Sequence, residues 1–435
     1  MKKMKKIILI ILSFLLFTVN SFALVSDRVS FEEGELRSDL EKDFFVDLDK
    51  GELSKYTLYD AFLIASGITK FSNFIYYQGK LAKIRERALR EVKKTDDPYI
   101  AAKNLLFWLH DNIFKKYRAD ATLANDILDN GEFNCLSGSI LYTLLAKDLG
   151  LKVVGVVVKD HAFCMLVDSR GDKDIETTIR YGFDPGTKEI EQLKEFTRYV
   201  YVPKKEYTLR RTVNTYQLIG ALYSNLVNIL SNTEKEEIDY DAEIPKYKKG
   251  YYFDQESAVF KTDIEACLNN LALKYIGNGD YDNAYRYIRQ AKVFNPKNED
   301  FKNLEKKYFS ERGIDEAKKG NFEKGIGYLK IVLEIYPSDE KLLNNLAFCY
   351  ISWGNLYFEK QDFENALIIF LQGLKDTPKD EALLHNIKAS YYNLAVKEYK
   401  KGNYARAIKY SDEALKLFPD DKSFIEIKQA SQGLY

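Results

Sequence analysis

Apolar residues recur at three- and four-residue spacing along most of this chain, and at alternate positions in one short stretch. Helical spacing runs through 54–68, 71–94 and 98–116, the last opened by Asp96-Asp97-Pro98, an acidic cap followed by proline in the first turn. A nearly unbroken apolar run over 136–149, opened by Cys135 and closed by Gly150, predicts one buried helix. The period then falls from 3.6 to 2. The valine-rich segment 151–158, then 161–167 and 175–179, separated by turns at Lys159-Asp160 and 169–173, predict an antiparallel meander. Helical patterns resume over 188–196 and 214–230. Helices leading into a meander define an α+β domain over 54–230. Residues 24–53, acidic and polar, read as its lead-in, and 231–262, charged and tyrosine-rich without clear period, as a linker.

The C-terminal part, 263–435, repeats. Pro296, Pro337, Pro378 and Pro419 stand 41 residues apart. Gly279, Gly320, Gln361 and Gly402 keep the same offset, as do Tyr281, Phe322, Phe363 and Tyr404, then Ala284, Gly325, Ala366 and Ala407. Each unit is two helical patterns joined through Gly-Asp/Asn-aromatic-x-x-Ala. These residues resemble the tetratricopeptide family, whose helix–turn–helix unit is about 34 residues. Seven more residues make close to two helical turns and return a helix to nearly the same face, about 20° short. Lengthening the first helix of each pair therefore preserves stacking. The expected architecture is an all-α helical solenoid with a C-terminal cap, following the α+β domain.

At 435 residues the chain exceeds a single core. Its 65 basic and 65 acidic side chains balance, with no basic block interleaved with aromatics, which argues against nucleic acid as a partner. Lys2, Lys3, Lys5 and Lys6, the apolar run 7–17, and the small residues Ser21 and Ala23 form the layout of a signal peptide over 1–23. That run is about 11 residues, short of the roughly 20 that a spanning helix needs. Export to the periplasm or the extracellular space is expected, with membrane attachment only if the segment is retained. Cys135, Cys164, Cys267 and Cys349 show no disulfide framework in their spacing. Asp47 to Lys50 lack the closing glutamate of a calcium loop and read as a solvated turn. No metal spacing and no phosphate-cradling glycine loop appears, so no cofactor is expected. The oligomeric state is left open.

Cys135 and His161 carry the candidate chemistry. A cysteine in the first turn of a helix meets unpaired N–H groups and the positive end of the dipole, which favour the nucleophilic thiolate. His161 follows 26 residues later in a chain with three histidines. On a regular strand His161, Phe163 and Met165 share one face while Cys164 points the other way, into the core. His110 stands at an apolar-flanked helical position and reads as structural. A buried core cysteine and a histidine at a hairpin turn would fit the same spacing.

Asn134-Cys135-Leu136-Ser137 opening a helix, His161-Ala162-Phe163 entering a strand and Ile175-Glu176-Thr177-Thr178 on the next resemble the transglutaminase-like branch of the papain-type fold, over roughly 54–200. The resemblance implies a Cys–His–Asp triad that forms and cleaves thioesters in amide hydrolysis or acyl transfer. Glu176 stands where that family has aspartate, and Asp184 is the competing third member. An oxyanion hole would combine the Cys135 N–H with an upstream donor, Tyr117 or Asn134. The expectation is an exported cysteine peptidase, amidase or acyltransferase whose repeats bind a protein or peptide. The alternative is a catalytically inactive domain in a scaffolding protein.

Overall fold

A computed structural model describes residues 31–50, 53–92, 94–158, 161–185, 210–231 and 239–434. The signal segment 1–23 and the helix expected over 188–196 lie outside the described residues. The chain divides into two compact units, Met1–Cys267 and Leu268–Tyr435.

The first unit opens with α1 (Asp39–Leu48), α2 (Leu58–Ala65), α3 (Phe71–Glu91) and α4 (Pro98–Asn112). Two short strands, β1 (Lys116–Tyr117) and β2 (Glu132–Phe133), pair in parallel around a π-helical turn. That turn ends at Gly131, whose φ of +70° is left-handed and where a Cβ would stand 2.6 Å from the Ile113 carbonyl oxygen. Glycine is required there both by conformation and by space. Next comes α5 (Cys135–Asp148), then β3 (Val153–Val158), β4 (His161–Leu166) and β5 (Lys173–Ile175). A further strand, β6 (Arg211–Val213), joins β3, giving an antiparallel sheet ordered β5-β4-β3-β6. Helix α5 packs on β3 and β4, between α4 and α6 (Thr215–Ser231), and is buried over nearly its whole length. The alternation over 161–166 is a regular strand, as its parity predicts, with Cys164 fully buried.

Four expectations need correction. The strand expected over 175–179 stops at Ile175, and the chain turns there. The polar lead-in is part of the core: α1 buries Phe44, Phe45 and Leu48. Residues read as a linker include α7 (Tyr240–Phe253), whose Phe253 stacks on Phe44 at 6.0 Å, so the unit extends to Cys267 rather than ending at 230. Both segments look polar because their charges pair across the chain. Lys248 Nζ meets Glu35 at 2.8 Å, and Lys249 Nζ meets Glu41 at 2.7 Å with both side chains buried. Asp47 is likewise buried rather than solvated, accepting from the Ser54 hydroxyl and from three backbone N–H groups at 54–56.

The repeats follow α8 (Ala258–Gly277). Helices α10 (Glu299–Lys318), α12 (Glu340–Glu359) and α14 (Glu381–Lys400) alternate with α9 (Tyr281–Phe294), α11 (Phe322–Ile335), α13 (Phe363–Asp376) and α15 (Tyr404–Leu417), and α16 (Lys422–Leu434) closes the series. The first helix of each pair has 20 residues and the second 14, so the extra length does lie in the first. Gly313 and Gly325 bring α10 and α11 together, since a Cβ on Gly325 would sit 2.5 Å from the Gly313 carbonyl oxygen. Among the described residues no helix is long and apolar enough to cross a membrane.

Each first helix ends at a left-handed residue: Gly279, Gly320, Gln361 and Gly402, with φ of +72°, +85°, +60° and +76°. Of these four, only Gln361 bears a Cβ. Gln361→Gly should raise the stability of the repeats by about 0.5–1 kcal/mol in denaturant unfolding, the relief of strain being partly offset by glycine's unfolded-state entropy. Gly320→Gln should lower it by a similar amount. A neutral or destabilising Gln361→Gly would show that the side chain contributes more than its backbone costs.

Candidate active site

Cys135 is the first residue of α5, reached through a tightly tied entry. Asn134 is the N-cap: its Oδ1 accepts from the N–H of Leu136 at 3.0 Å and of Ser137 at 2.9 Å. The Ser137 hydroxyl oxygen accepts from the Asn134 N–H at 3.0 Å, completing a capping box. The loop 118–122 is laced to the same turn. Asn134 Nδ2 donates to the Ala119 carbonyl at 3.1 Å, the Ser137 hydroxyl to the Ala121 carbonyl at 2.8 Å, and the Arg118 N–H to the Phe133 carbonyl at 2.9 Å. Asn134 thus spends its Oδ1 on the cap and one N–H of its amide on Ala119. Tyr117 stands edge-on to Phe133, ring centroids 6.0 Å apart. The cap takes the amides of Leu136 and Ser137 but not that of Cys135.

His161 opens β4 with its side chain 7% exposed. Its Nε2–H donates to Glu176 Oε2 at 2.5 Å, and Cys135 is near enough to raise the pKa of the ring. Cys135, His161 and Glu176 are therefore neighbours. Asp184 stands apart from them, accepting from the Tyr99 hydroxyl at 3.1 Å and pairing with Lys173 at 3.3 Å. Glu176 lies just past β5, in a turn rather than on a strand. Its N–H donates to the Gly182 carbonyl at 2.7 Å, and a Cβ on Gly182 would come within 2.1 Å of the Glu176 carbonyl oxygen. The other carboxylate oxygen, Oε1, accepts from the Thr178 N–H at 3.0 Å and the Thr178 hydroxyl at 2.7 Å.

The electrostatics follow from burial and pairing. Burial by itself lowers the pKa of His161, but the Glu176 carboxylate and the neighbouring Cys135 outweigh it and push the ring up to about 10. Glu176, opposed by its own burial, is held below the usual carboxylate range by His161 and Thr178. His110 has no such carboxylate. Burial brings it down to about 4, so it is neutral when its Nε2–H donates to the Thr177 carbonyl at 3.1 Å. Cys164 is fully buried, its thiol pushed up by burial and lying 3.5 Å from the Ser139 carbonyl oxygen. It is a core side chain. Among the described residues no three histidine, cysteine or carboxylate side chains gather into a metal-binding group.

Sequence spacing did not reveal the roles of Thr178, Ser139 and Gly182. Ser139 Oγ and Thr177 Oγ1 lie 2.9 Å apart, joining α5 to the turn that carries Glu176. The threonine pair after Glu176 was the one visible signal, since threonines beside a buried acid can donate to it.

Residues 389–421 match the tetratricopeptide repeat family. No curated protein matches the chain. Among solved structures the chain is similar to menin, described with its binding site for the Mixed Lineage Leukemia protein, at 12% identity and a TM-score of 0.32 over 91% of this chain and 87% of that one. It is similar to a tetratricopeptide repeat protein from Parabacteroides merdae at 15% identity and 0.19, covering 49% and 85%. It is also similar to BtubC from P. vanneervenii at 19% identity and 0.19, covering 47% and 82%. The second unit is a helical solenoid of the tetratricopeptide kind.

The charged pair makes stability depend on pH in a definite direction. A histidine raised from 6.5 to about 10 on folding contributes fully below 6.5 and loses that contribution as pH climbs through about 10. Glu176, lowered on folding, contributes above its ordinary 4.5 and loses its share in acid. Unfolding stability of the wild type should fall between pH 6.5 and 10, and His161→Asn should flatten that fall. An equal fall in the variant would contradict the pairing. Gly182→Ala should destabilise the protein by about 1–3 kcal/mol or more, because the added methyl meets backbone that cannot move aside. Wild-type stability in thermal melts of this variant would refute the close approach.

Proposed function

We propose that the first unit is a transglutaminase-like cysteine hydrolase or acyltransferase acting on peptide or amide bonds, with the repeats holding a protein substrate or partner. The observation that carries the reading is the Cys135–His161–Glu176 line, in which a half-exposed thiol at a helix N-terminus meets a buried, carboxylate-paired imidazole. In this mechanism the Cys135 sulfur attacks the carbonyl carbon as thiolate, beside a protonated His161. The Cys135 N–H, with Tyr117 as a second donor, bears the charge on the oxygen. His161 then gives its proton to the leaving nitrogen as the C–N bond breaks, leaving a thioester on Cys135. Water or an acceptor amine, deprotonated by His161, attacks the thioester and restores the thiol. Glu176 holds the ring by Nε2 and stabilises its charged form throughout.

The tetratricopeptide match supports a protein-binding role for the second unit, since stacked helical repeats present extended surfaces to peptides. Export through the segment 1–23 would place the enzyme in the periplasm or outside the cell. The same repeat match favours a second reading, in which the chain is a scaffold whose first unit is catalytically inactive.

A peptide-amide electrophile that acylates cysteine separates the two. Wild-type protein should be labelled once, at Cys135, and Cys135→Ala should lose the label while keeping its melting behaviour. His161→Asn should slow labelling by about 100-fold or more. A folded wild type that resists labelling, or a label that persists in Cys135→Ala, would favour the scaffold.

A further inference from the structure

The line from Cys135 to Glu176 has a support that its three members do not supply. We propose that Thr178 is a positioning residue of this site: its hydroxyl and its N–H seize Oε1 of Glu176, so that Oε2 faces Nε2 of His161 and the pair is fixed as carboxylate and imidazolium. The inference rests on the reading of the Cys135 site given above.

The geometry is specific. Glu176 is 1% exposed, so its charge is held without water. Three donors meet it: His161 Nε2–H at 2.5 Å on Oε2, with the Thr178 N–H at 3.0 Å and hydroxyl at 2.7 Å on Oε1. Hydrogen bonds to a charged acceptor favour the charged form, and a buried carboxylate that loses one is harder to keep ionised. Thr178 is itself buried, in a turn fixed at both sides. On one side His110 from α4 donates to the Thr177 carbonyl; on the other, Ser139 from α5 bonds the Thr177 hydroxyl. The titratable groups facing the pair are Cys135 on α5, His110 on α4 and Cys164 on β4. His110 is neutral above about 4 and Cys164 is held as the thiol, so neither replaces the charge stabilisation that Thr178 provides.

Removing the hydroxyl should therefore leave the Glu176 carboxylate free to turn away from His161. The readout is the titration of His161 in the full chain with isotope-labelled histidine, its NMR signal being assigned by its loss in His161→Asn. Thr178→Val should titrate about one pH unit below wild type, the consequence of one lost hydrogen bond to a charged group. Thr178→Ser should return it to the wild-type position. If the valine variant does not fold, Thr178→Ala gives the same reading without added bulk. Titration of Thr178→Val or Thr178→Ala at the wild-type pH, or failure of Thr178→Ser to restore it, would overturn the assignment. Titration needs no turnover. A shift without Cys135 acylation would sink the enzymatic reading and keep the Thr178 assignment, whereas acylation with no shift would do the reverse.

Discussion

A carboxylate buried as deeply as Glu176 is stable only where donors replace the water it has lost, and the first unit is organised around that requirement. His161 and Thr178 supply the donors. Supplying them fixes much else. The turn carrying Glu176 needs the Gly182 backbone against it, where no side chain fits. It needs α4 to offer His110 and α5 to offer Ser139, and α5 is also the helix that presents Cys135. One buried charge thus ties together the sheet edge, two helices and Cys135. The pair is weak evidence for stability in itself, because ions brought out of water regain little beyond their desolvation. Its consequence is conformational: Glu176 holds the ring of His161 through Nε2.

Much of this was legible in the sequence. Cys135 stood out because a polar cap, a thiol and a long apolar run ending in glycine describe a helix end with little ambiguity. His161 stood out through the scarcity of histidine and the strand parity that sends Cys164 inward. Glu176 was placed by the family resemblance, and the antiparallel pairing of β4 with β5 brings residues 161 and 176 to the same end of the sheet. What spacing could not show was that the chain turns at Glu176, which gives the side chain its reach and takes Asp184 elsewhere. The cap role of Asn134 was not read from spacing; its Oδ1 and backbone N–H close three local bonds at the helix start.

The fold outside the site shows where polarity misleads. The repeats declare themselves by period, because each unit must present the same small residue and aromatic to its neighbour. Helix α7 and the segment entering α1 carry no such signal. Lys248 and Lys249 look like surface residues until Glu35 and Glu41, some two hundred positions away, are placed beside them. Such a partner is invisible to any local window. A lysine normally argues for solvent, yet a well-placed carboxylate reverses the inference.

A glutamate at this position is accommodated by the same logic. Here β5 ends one residue earlier, and the turn swings the longer side chain so that it reaches His161 at 2.5 Å. Length also adds freedom, because a glutamate has one more rotatable bond to hold still. Thr178 removes that freedom by anchoring the second oxygen through two donors spaced for a single acceptor. A longer acid and a threonine two residues on therefore act as one unit. The acid alone would leave the carboxylate free to turn away from the ring, and the threonine alone would have no charge to hold.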